Sequence, residues 1–99
     1  MISYEKGETE LICKFTGRMD TTASMNAEDE LIEQAQHAGV PIVFDFTDLE
    51  YVASSFLRSC VKVARVAGST KIKVLGASEE ILRIFDMTGF GKLMDIQRS

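Results

Sequence analysis

The junction between a strand-like run and an amphipathic helix, in the middle of the chain, constrains the fold most strongly. Residues 42–46 form an apolar run interrupted by one Asp, and residues 51–53 form a second, shorter apolar run. Two hydroxyl side chains, Ser54 and Ser55, then stand where the helical pattern begins. A Ser at a helix start can cap the helix, and it can also carry a phosphate where the exposed N–H groups of the helix attract anions.

The helix after this junction is predicted to extend from Phe56 to Gly68. Its apolar residues recur at the three- and four-residue spacing of an amphipathic helix. The predicted buried stripe consists of Leu57, Cys60, Val61 and Ala64, widened by Phe56, Val63 and Ala67. The predicted solvent face consists of Arg58, Ser59, Lys62 and Arg65. Ser54 or Ser55 is therefore the expected N-cap, and Gly68 is the expected C-terminal stop.

Strand and helix signals alternate along the rest of the chain. The further predicted strands are residues 2–6, 11–15, 71–75 and 94–96. Residues 16–20 are expected to form a turn, after which Asp20, Thr21 or Thr22 caps a helix that runs to about Ala38. Ser78 is expected to cap a short helix at residues 79–86. Strands separated by helices of this length imply crossover connections and a sheet with substantial parallel pairing.

Length and composition are those of one soluble globular domain. The 99 residues, 45 % apolar and 26 % charged, suffice to bury a core without disulfides or metals. The net charge of −4 disfavours binding to nucleic acid. The N-terminus lacks the features of a signal peptide, and no apolar stretch approaches the ~20 residues that cross a bilayer. Cys13 and Cys60 stand apart in apolar elements, which predicts buried free thiols in a reducing, cytoplasmic compartment.

Enzymatic and metal sites find little support in the sequence. The single histidine, His37, lies near a predicted helix end, and no nucleophile–base relay can be built around it. Residues 89–92 are similar to the end of a phosphate-binding loop, but the first Gly and the final Ser or Thr of that motif are absent. Asp45, Asp48 and Glu50 do not match the spacing of a calcium loop and are expected to be solvated in a loop. We therefore expect no catalysis, no metal and no cofactor.

Three segments of the chain resemble the STAS domain as it occurs in bacterial anti-sigma factor antagonists. Residues 17–20, Gly-Arg-Met-Asp, are similar to the Gly-Glu-Leu-Asp turn of that family. Residues 43–55 are similar to the strand that leads into its Asp-Ser-Ser/Thr-Gly-Leu phosphorylation loop, and residues 82–90 match its Leu-Phe-Asp-Met/Ile-Ser/Thr-Gly-Leu segment. The resemblance implies an α/β fold in one domain, residues 1–99, with a small mixed, largely parallel sheet of four to five strands and helices mainly on one face.

The resemblance also implies a role in partner switching. In that family an unphosphorylated antagonist binds an anti-sigma factor of the switch-kinase type, the kinase phosphorylates it on the first Ser of the loop, and a phosphatase reverses the reaction. By position, the implied phospho-acceptor is Ser54, with Ser55 as its neighbour. The implied partner-binding residues are Asp20, Ala53, Ser54, Ser55, Phe56 and Arg58. A monomer or weak dimer without membrane insertion is expected.

The sequence departs from the family motif on both sides of the two hydroxyls. Position 53 is Ala where the family has Asp, and position 56 is Phe where the family has Gly. Phe56 either joins the core stripe or contacts a partner, and its spacing with Cys60 and Val63 favours the core. Two alternatives therefore stand beside partner switching. One is a STAS scaffold that is never phosphorylated, including the small subunit of a transporter complex, and the other is a small-molecule or nucleotide binder.

Overall fold

The computed structural model describes residues 1–68 and 72–97, which form five strands, three α-helices and one 3₁₀ turn. The strands β1 to β5 are Ile2–Lys6, Leu11–Met19, Ile42–Val52, Ile72–Leu75 and Met94–Ile96. The helices α1 to α3 are Thr21–Gln36, Ser54–Ala67 and Glu79–Thr88, and the 3₁₀ turn is Phe90–Leu93. Lys71, predicted as the first residue of the fourth strand, lies outside the described residues.

The five strands form one sheet in the order β1-β2-β3-β4-β5. The edge strand β1 pairs with β2 in the antiparallel sense, and the three other pairings are parallel. Each parallel pairing is bridged by one helix, and right-handed crossovers that all step in the same direction place their helices on the same face. All three helices accordingly contribute residues to one hydrophobic core. The predicted mixed, largely parallel sheet with helices on one face is confirmed.

The core is centred on a cluster of buried phenylalanine rings. Phe15, on β2, lies at its middle, with ring centroids of Phe44, Phe46 and Phe56 at 5.0, 5.2 and 5.3 Å in edge-to-face arrangements. The ring of Phe85, from α3, stacks on Phe46 at 6.4 Å. Such pairs contribute about 0.5–1.5 kcal/mol each beyond their buried area. The cluster therefore ties two central strands to α2 and α3.

The strands β2 and β3 are longer than the sequence pattern indicates. Residues 16–19, predicted as a turn, continue β2, and only Asp20 leaves it. The two apolar runs at residues 42–46 and 51–53 belong to one strand that ends at Val52. Parallel pairing supplies hydrogen bonds to polar residues that local propensity places in a turn or loop, so the predicted boundaries were wrong.

The carboxylates predicted to lie in a loop after residue 46 belong to β3 instead. Asp45 accepts hydrogen bonds from the N–H and the hydroxyl of Thr47, at 2.9 and 2.6 Å, and the hydroxyl bond in particular lowers the pKa of that carboxyl. Asp48 pairs with Lys14 of β2 at 3.4 Å. These two carboxylates therefore belong to a strand and have partners within the sheet, and the side chain of Asp48 remains exposed to solvent.

The pairing of β2 with β3 contains two irregularities, and in each of them β3 carries the extra residue. At the second irregularity, Gly17 pairs with Leu49 and Arg18 pairs with Tyr51, so Glu50 is skipped. Bulges of this kind bend a strand and re-aim the side chains beside them. The register thus places Arg18 opposite an aromatic ring instead of a carboxylate.

The helix ends follow the predicted signals more closely than the strand ends do. Ser78 caps α3, since its Oγ accepts a 3.3 Å hydrogen bond from the N–H of Ile81, and Gly89 ends that helix in the left-handed conformation. Asp20 caps α1 and accepts a 2.9 Å bond from the N–H of Ala23. α1 ends at Gln36, slightly before the predicted end near residue 38.

Candidate functional site

The candidate site lies at the edge of the sheet where β2 and β3 end and α1 and α2 begin. The last residues of the two strands, Met19 and Val52, pair with each other. The N–H of Ala53 then donates a 2.9 Å hydrogen bond to the carbonyl oxygen of Met19. Asp20 follows Met19 and Ser54 follows Ala53, so the structure brings both of these predicted residues to one edge of the sheet.

The start of α2 differs from the predicted one. Ala53 holds the N-cap position, with φ −92° and ψ 163°, and no side chain in the described part of the molecule caps the helix. The prediction of a serine cap was wrong because the helix begins at Ser54, two residues ahead of the apolar pattern that starts at Phe56. Ser54 and Ser55 are already helical residues, past the position from which a side chain can cap. The first N–H groups of α2 therefore lack a side-chain acceptor.

The two serines differ in accessibility. Ser54 is exposed at the first position of α2. Ser55 is half-buried, and its Oγ is buried without a hydrogen-bond partner among the described residues. Arg58 is exposed one turn beyond Ser54 on the same side of the helix. The hydroxyl that an enzyme or a partner can reach is thus that of Ser54.

Phe56 belongs to the core. Its side chain is 1 % exposed, and its ring lies 5.3 Å from Phe15 and 5.9 Å from Phe46. The core interpretation of this residue is confirmed, and the ring does not face a partner. Ala53 is also buried, at 9 % exposure. Of the predicted partner-binding residues, Asp20, Ser54 and Arg58 are the exposed ones.

A polar contact joins α1 to α2 one turn beyond Ser55. Ser59, predicted on the solvent face, is 3 % exposed, and its Oγ donates a 2.8 Å hydrogen bond to Oε1 of Glu28 on α1. The Nζ of Lys62 lies 3.3 Å from Oε2 of the same carboxylate. The bond from Ser59 above all, and then Lys62, lowers the pKa of Glu28. The prediction for Ser59 was wrong because the acceptor comes from another helix, which the periodicity of α2 does not reveal.

Two unpartnered hydroxyls lie between the helices on the side of the site. Ser24 is 2 % exposed, and its Oγ, like that of Ser55, has no hydrogen-bond partner within the described residues. Ser24 lies one helical turn before Glu28 on α1, and Ser55 lies one helical turn before Ser59 on α2, so both adjoin the Glu28–Ser59 contact. Burying an unsatisfied polar group costs about 1–3 kcal/mol.

Arg18 and Tyr51 form an exposed stacked pair that the sequence analysis missed. The guanidinium carbon of Arg18 lies 4.3 Å from the centroid of the Tyr51 ring. Tyr51 is 41 % exposed, and Arg18 is exposed as well. The two residues are the last but one in β2 and β3, two positions before Asp20 and Ala53 respectively. The two side chains meet only because of the register in which β2 pairs with β3. The sequence of either strand alone does not indicate that register.

The remaining reactive side chains offer no second site. Cys13 and Cys60 are free and buried, as predicted, and burial raises the pKa of Cys13 to about 12 and that of Cys60 as well. His37 is exposed at the end of α1. Within residues 1–68 and 72–97, no three His, Cys, Asp or Glu side chains form a group suited to a metal ion. Over the same residues, no helix has the length and apolar character needed to span a membrane.

Comparison with known proteins places the whole chain in one family. The family model of the STAS domain matches residues 1–99. The chain belongs to the STAS domain family. The family assignment made from the three sequence segments is thereby confirmed. A comparison with curated protein sequences finds no match.

Solved structures of similar fold include anti-sigma factor antagonists. The unphosphorylated antagonist SpoIIAA shares 16 % identity and a TM-score of 0.78, over 100 % of this STAS chain and 89 % of its own. The phosphorylated form of SpoIIAA, a Bacillus cell fate determinant, has 16 % sequence identity to this chain and a TM-score of 0.75. The match covers 100 % of this chain and 93 % of the SpoIIAA chain. A Thermotoga maritima protein named as a candidate anti-sigma factor antagonist has 13 % sequence identity to this chain and a TM-score of 0.85. The match covers 99 % of this chain and 86 % of the Thermotoga chain. At these identities the likeness establishes a shared fold.

Proposed function

We propose that this STAS domain is a regulatory protein of the anti-sigma factor antagonist type, which binds a switch-kinase anti-sigma factor through the start of α2. The observation that carries the proposal is the uncapped helix start with Ser54 exposed at its first position. The likeness in fold to SpoIIAA in both unphosphorylated and phosphorylated forms supports it. The role is regulatory, in a bacterial cytoplasm, and requires no cofactor.

Phosphorylation of Ser54 is the proposed control of that binding. A phosphate adds about −1.5 to −2 charges and three acceptor oxygens. At the first position of α2 the free N–H groups and the helix dipole favour that charge, so the domain stays folded. The phosphate changes the charge and the shape of the surface that meets the partner, without unfolding the domain. A loss of ~3 kcal/mol at the interface already lowers the affinity more than a hundredfold. A phosphatase would restore the first state.

The test is phosphorylation by the switch-kinase anti-sigma factors encoded in the genome that carries this chain. Each purified kinase is incubated with the chain and ATP, and the intact mass is measured. The proposal predicts the addition of one phosphoryl group to the wild-type chain and to Ser55→Ala, which removes only the buried hydroxyl. Ser54→Ala should accept none. Transfer to Ser54→Ala at the wild-type level would refute Ser54 as the acceptor.

A second candidate function is that of a STAS scaffold that is never phosphorylated. Ala53 favours it, because the methyl group stands where the family motif has a carboxylate that could orient the hydroxyl. In this case the kinases bind the chain without transferring phosphate, or a transporter subunit binds it instead. Ser54→Ala and Ser54→Asp would then leave the affinity unchanged. The two candidates therefore differ in one measurable quantity, the effect of position 54 on binding.

A further inference from the structure

We propose that Arg18, held in place by Tyr51, binds a carboxylate side chain of the protein that docks at the start of α2. This inference rests on the proposed function, and it names the chemistry of the partner at a position outside the phosphorylation loop. The guanidinium carbon of Arg18 lies 4.3 Å from the Tyr51 ring centroid. The pair adjoins the residues that lead into α1 and α2.

The register of the sheet is the first argument. Had β2 and β3 paired without interruption beyond Gly17 and Leu49, Arg18 would lie opposite Glu50 and the two charges would neutralise each other. The extra residue in β3 removes that carboxylate from the position and supplies the Tyr51 ring. A bulge that re-aims a side chain beside a functional edge is a recurrent device.

The state of the guanidinium is the second argument. The carbon of the Arg18 guanidinium lies over the Tyr51 ring, and a guanidinium has five N–H donors, enough to bind the two oxygens of a carboxylate beside its contact with the ring. In the described part of the chain Arg18 has no ion pair. Two of the nearby carboxylates have other partners, since Asp48 pairs with Lys14 and Asp20 accepts the N–H of Ala23, and the third, Glu50, is exposed and skipped in the register. The charge on Arg18 is therefore available to another molecule.

The composition of the pair is the third argument. Arginine and tyrosine are among the residues that contribute most to affinity in protein interfaces. A stacked pair has also lost much of its side-chain freedom before binding, which lowers the entropic cost of association. Arg58, exposed one turn beyond Ser54, adds a second cation at the same edge. A protein surface that carries Asp or Glu is the complementary partner.

The same position offers a contrast with the family. The Gly-Arg-Met-Asp segment of this chain is similar to the family's Gly-Glu-Leu-Asp turn, and by that resemblance Arg18 stands where the turn has an acidic residue. A reversed charge at an interface rejects partners that suit the original sign. The inference therefore predicts that this chain selects its own partner against those that fit a glutamate here.

The test measures affinities for the switch-kinase anti-sigma factors of the same genome, each loaded with ADP so that no phosphate is transferred. Arg18→Ala should weaken binding at least about tenfold and Arg18→Glu more strongly, with a flatter dependence on salt. Tyr51→Phe should stay within about twofold because the ring remains, while Tyr51→Ala should weaken binding several-fold. Arg83→Glu, the same charge change at an exposed position on α3, is the control and should have no effect. Circular dichroism and thermal unfolding of each variant confirm that the fold is kept.

Reversal of the partner's charge completes the test. If Arg18 meets a carboxylate, an Asp or Glu to Arg change on the kinase restores affinity to Arg18→Glu and weakens the wild type. If a kinase binds and Ser54→Asp weakens it while both Arg18 variants stay within about twofold, the inference is refuted and the proposed function stands. If no switch kinase binds the wild-type chain, both are refuted. If inorganic phosphate alone binds at Arg18 and the kinase affinity is unchanged, the pair is an anion site and the inference is wrong.

Discussion

The helices α1 and α2 begin at the same edge of the sheet, but their starts are built differently. α1 begins with Asp20, whose carboxylate accepts the N–H of Ala23 at 2.9 Å. α2 begins with Ala53, which has no side-chain acceptor to offer. A cap contributes typically about 1 kcal/mol, so the chain forgoes this contribution at one of two neighbouring helix starts. The first N–H groups of α2 thus have no side-chain acceptor among the described residues, whereas at the start of α1 the N–H of Ala23 has one.

Burial compensates for the missing cap. Phe56, at the third position of α2, is 1 % exposed and meets Phe15 edge-to-face at 5.3 Å. The position of the helix start is therefore fixed from inside the core instead of by a hydrogen bond at its end. As a result, the exposed first residue, Ser54, is freed from a structural role.

Because Phe56 anchors the start of α2, its removal should destabilise the protein more than any other change considered below. Phe56→Ala should lower the free energy of unfolding by about 3–5 kcal/mol, because it removes a buried ring from a packed cluster. Urea unfolding followed by circular dichroism measures the loss. Met87→Ala, at an 80 % exposed position on α3, is the control and should change stability little. A loss below about 1 kcal/mol for Phe56→Ala would show that α2 is anchored elsewhere.

The next effect contrasts the two helix starts directly. Asp20→Ala should cost about 1 kcal/mol, because the N–H of Ala23 loses its acceptor. Ser54→Ala should stay within about 0.5 kcal/mol, because its hydroxyl has no capping role. Both values come from chemical denaturation under the same conditions. Equal losses at the two positions would contradict the distinction between a capped and an uncapped start.

A gain of stability is expected from restoring the cap. Ala53→Ser places a hydroxyl at an N-cap whose backbone already has the required extended conformation. The free energy of unfolding should rise by about 0.5–1 kcal/mol. Ala53→Gly, which lacks the acceptor, serves as the matched control and should show no such gain. If Ala53→Ser destabilises the protein, the start of α2 has no room for a cap and the comparison needs revision.

The smallest effect concerns the hydroxyl buried between the helices. Ser55→Ala removes an unsatisfied polar atom and should be neutral or stabilise by up to about 0.5 kcal/mol. Ser59→Ala removes the bond to Glu28 and should cost about 1 kcal/mol or more. Thermal unfolding of the two variants side by side gives the answer. A clear loss for Ser55→Ala would mean that its hydroxyl has a partner after all.

The sequence predicted the fold well because its signals are local and mutually consistent. The apolar periodicity of α2, the caps Asp20 and Ser78, and the glycine that ends α3 are each readable within a few residues. The three segments that resemble the STAS family added the prediction of a small mixed, largely parallel sheet with helices mainly on one face. These features reappear in the structure at nearly the predicted positions.

The features that the sequence did not predict depend on pairing across the molecule. The continuation of β2 through residues 16–19 and the meeting of Arg18 with Tyr51 arise from a parallel register with an extra residue in β3. The burial of Ser59 depends on Glu28 of a different helix. The serine cap was a local prediction that failed because the helix begins at Ser54, ahead of the apolar pattern from Phe56 that located its start. These features are determined by contacts between different strands or helices. The sequence of one strand or helix alone does not indicate such contacts.

We propose that the start of α2 serves binding and not stability, and one paired measurement tests this proposal. The affinity of Ser54→Asp for a switch-kinase anti-sigma factor is compared with its melting temperature. Asn26→Asp, which adds a charge at an exposed position on α1, is the control. We predict at least about a tenfold loss of affinity for Ser54→Asp with a melting temperature within about 3 °C of the wild type. Unchanged affinity, or a loss that Asn26→Asp equals, would contradict the claim.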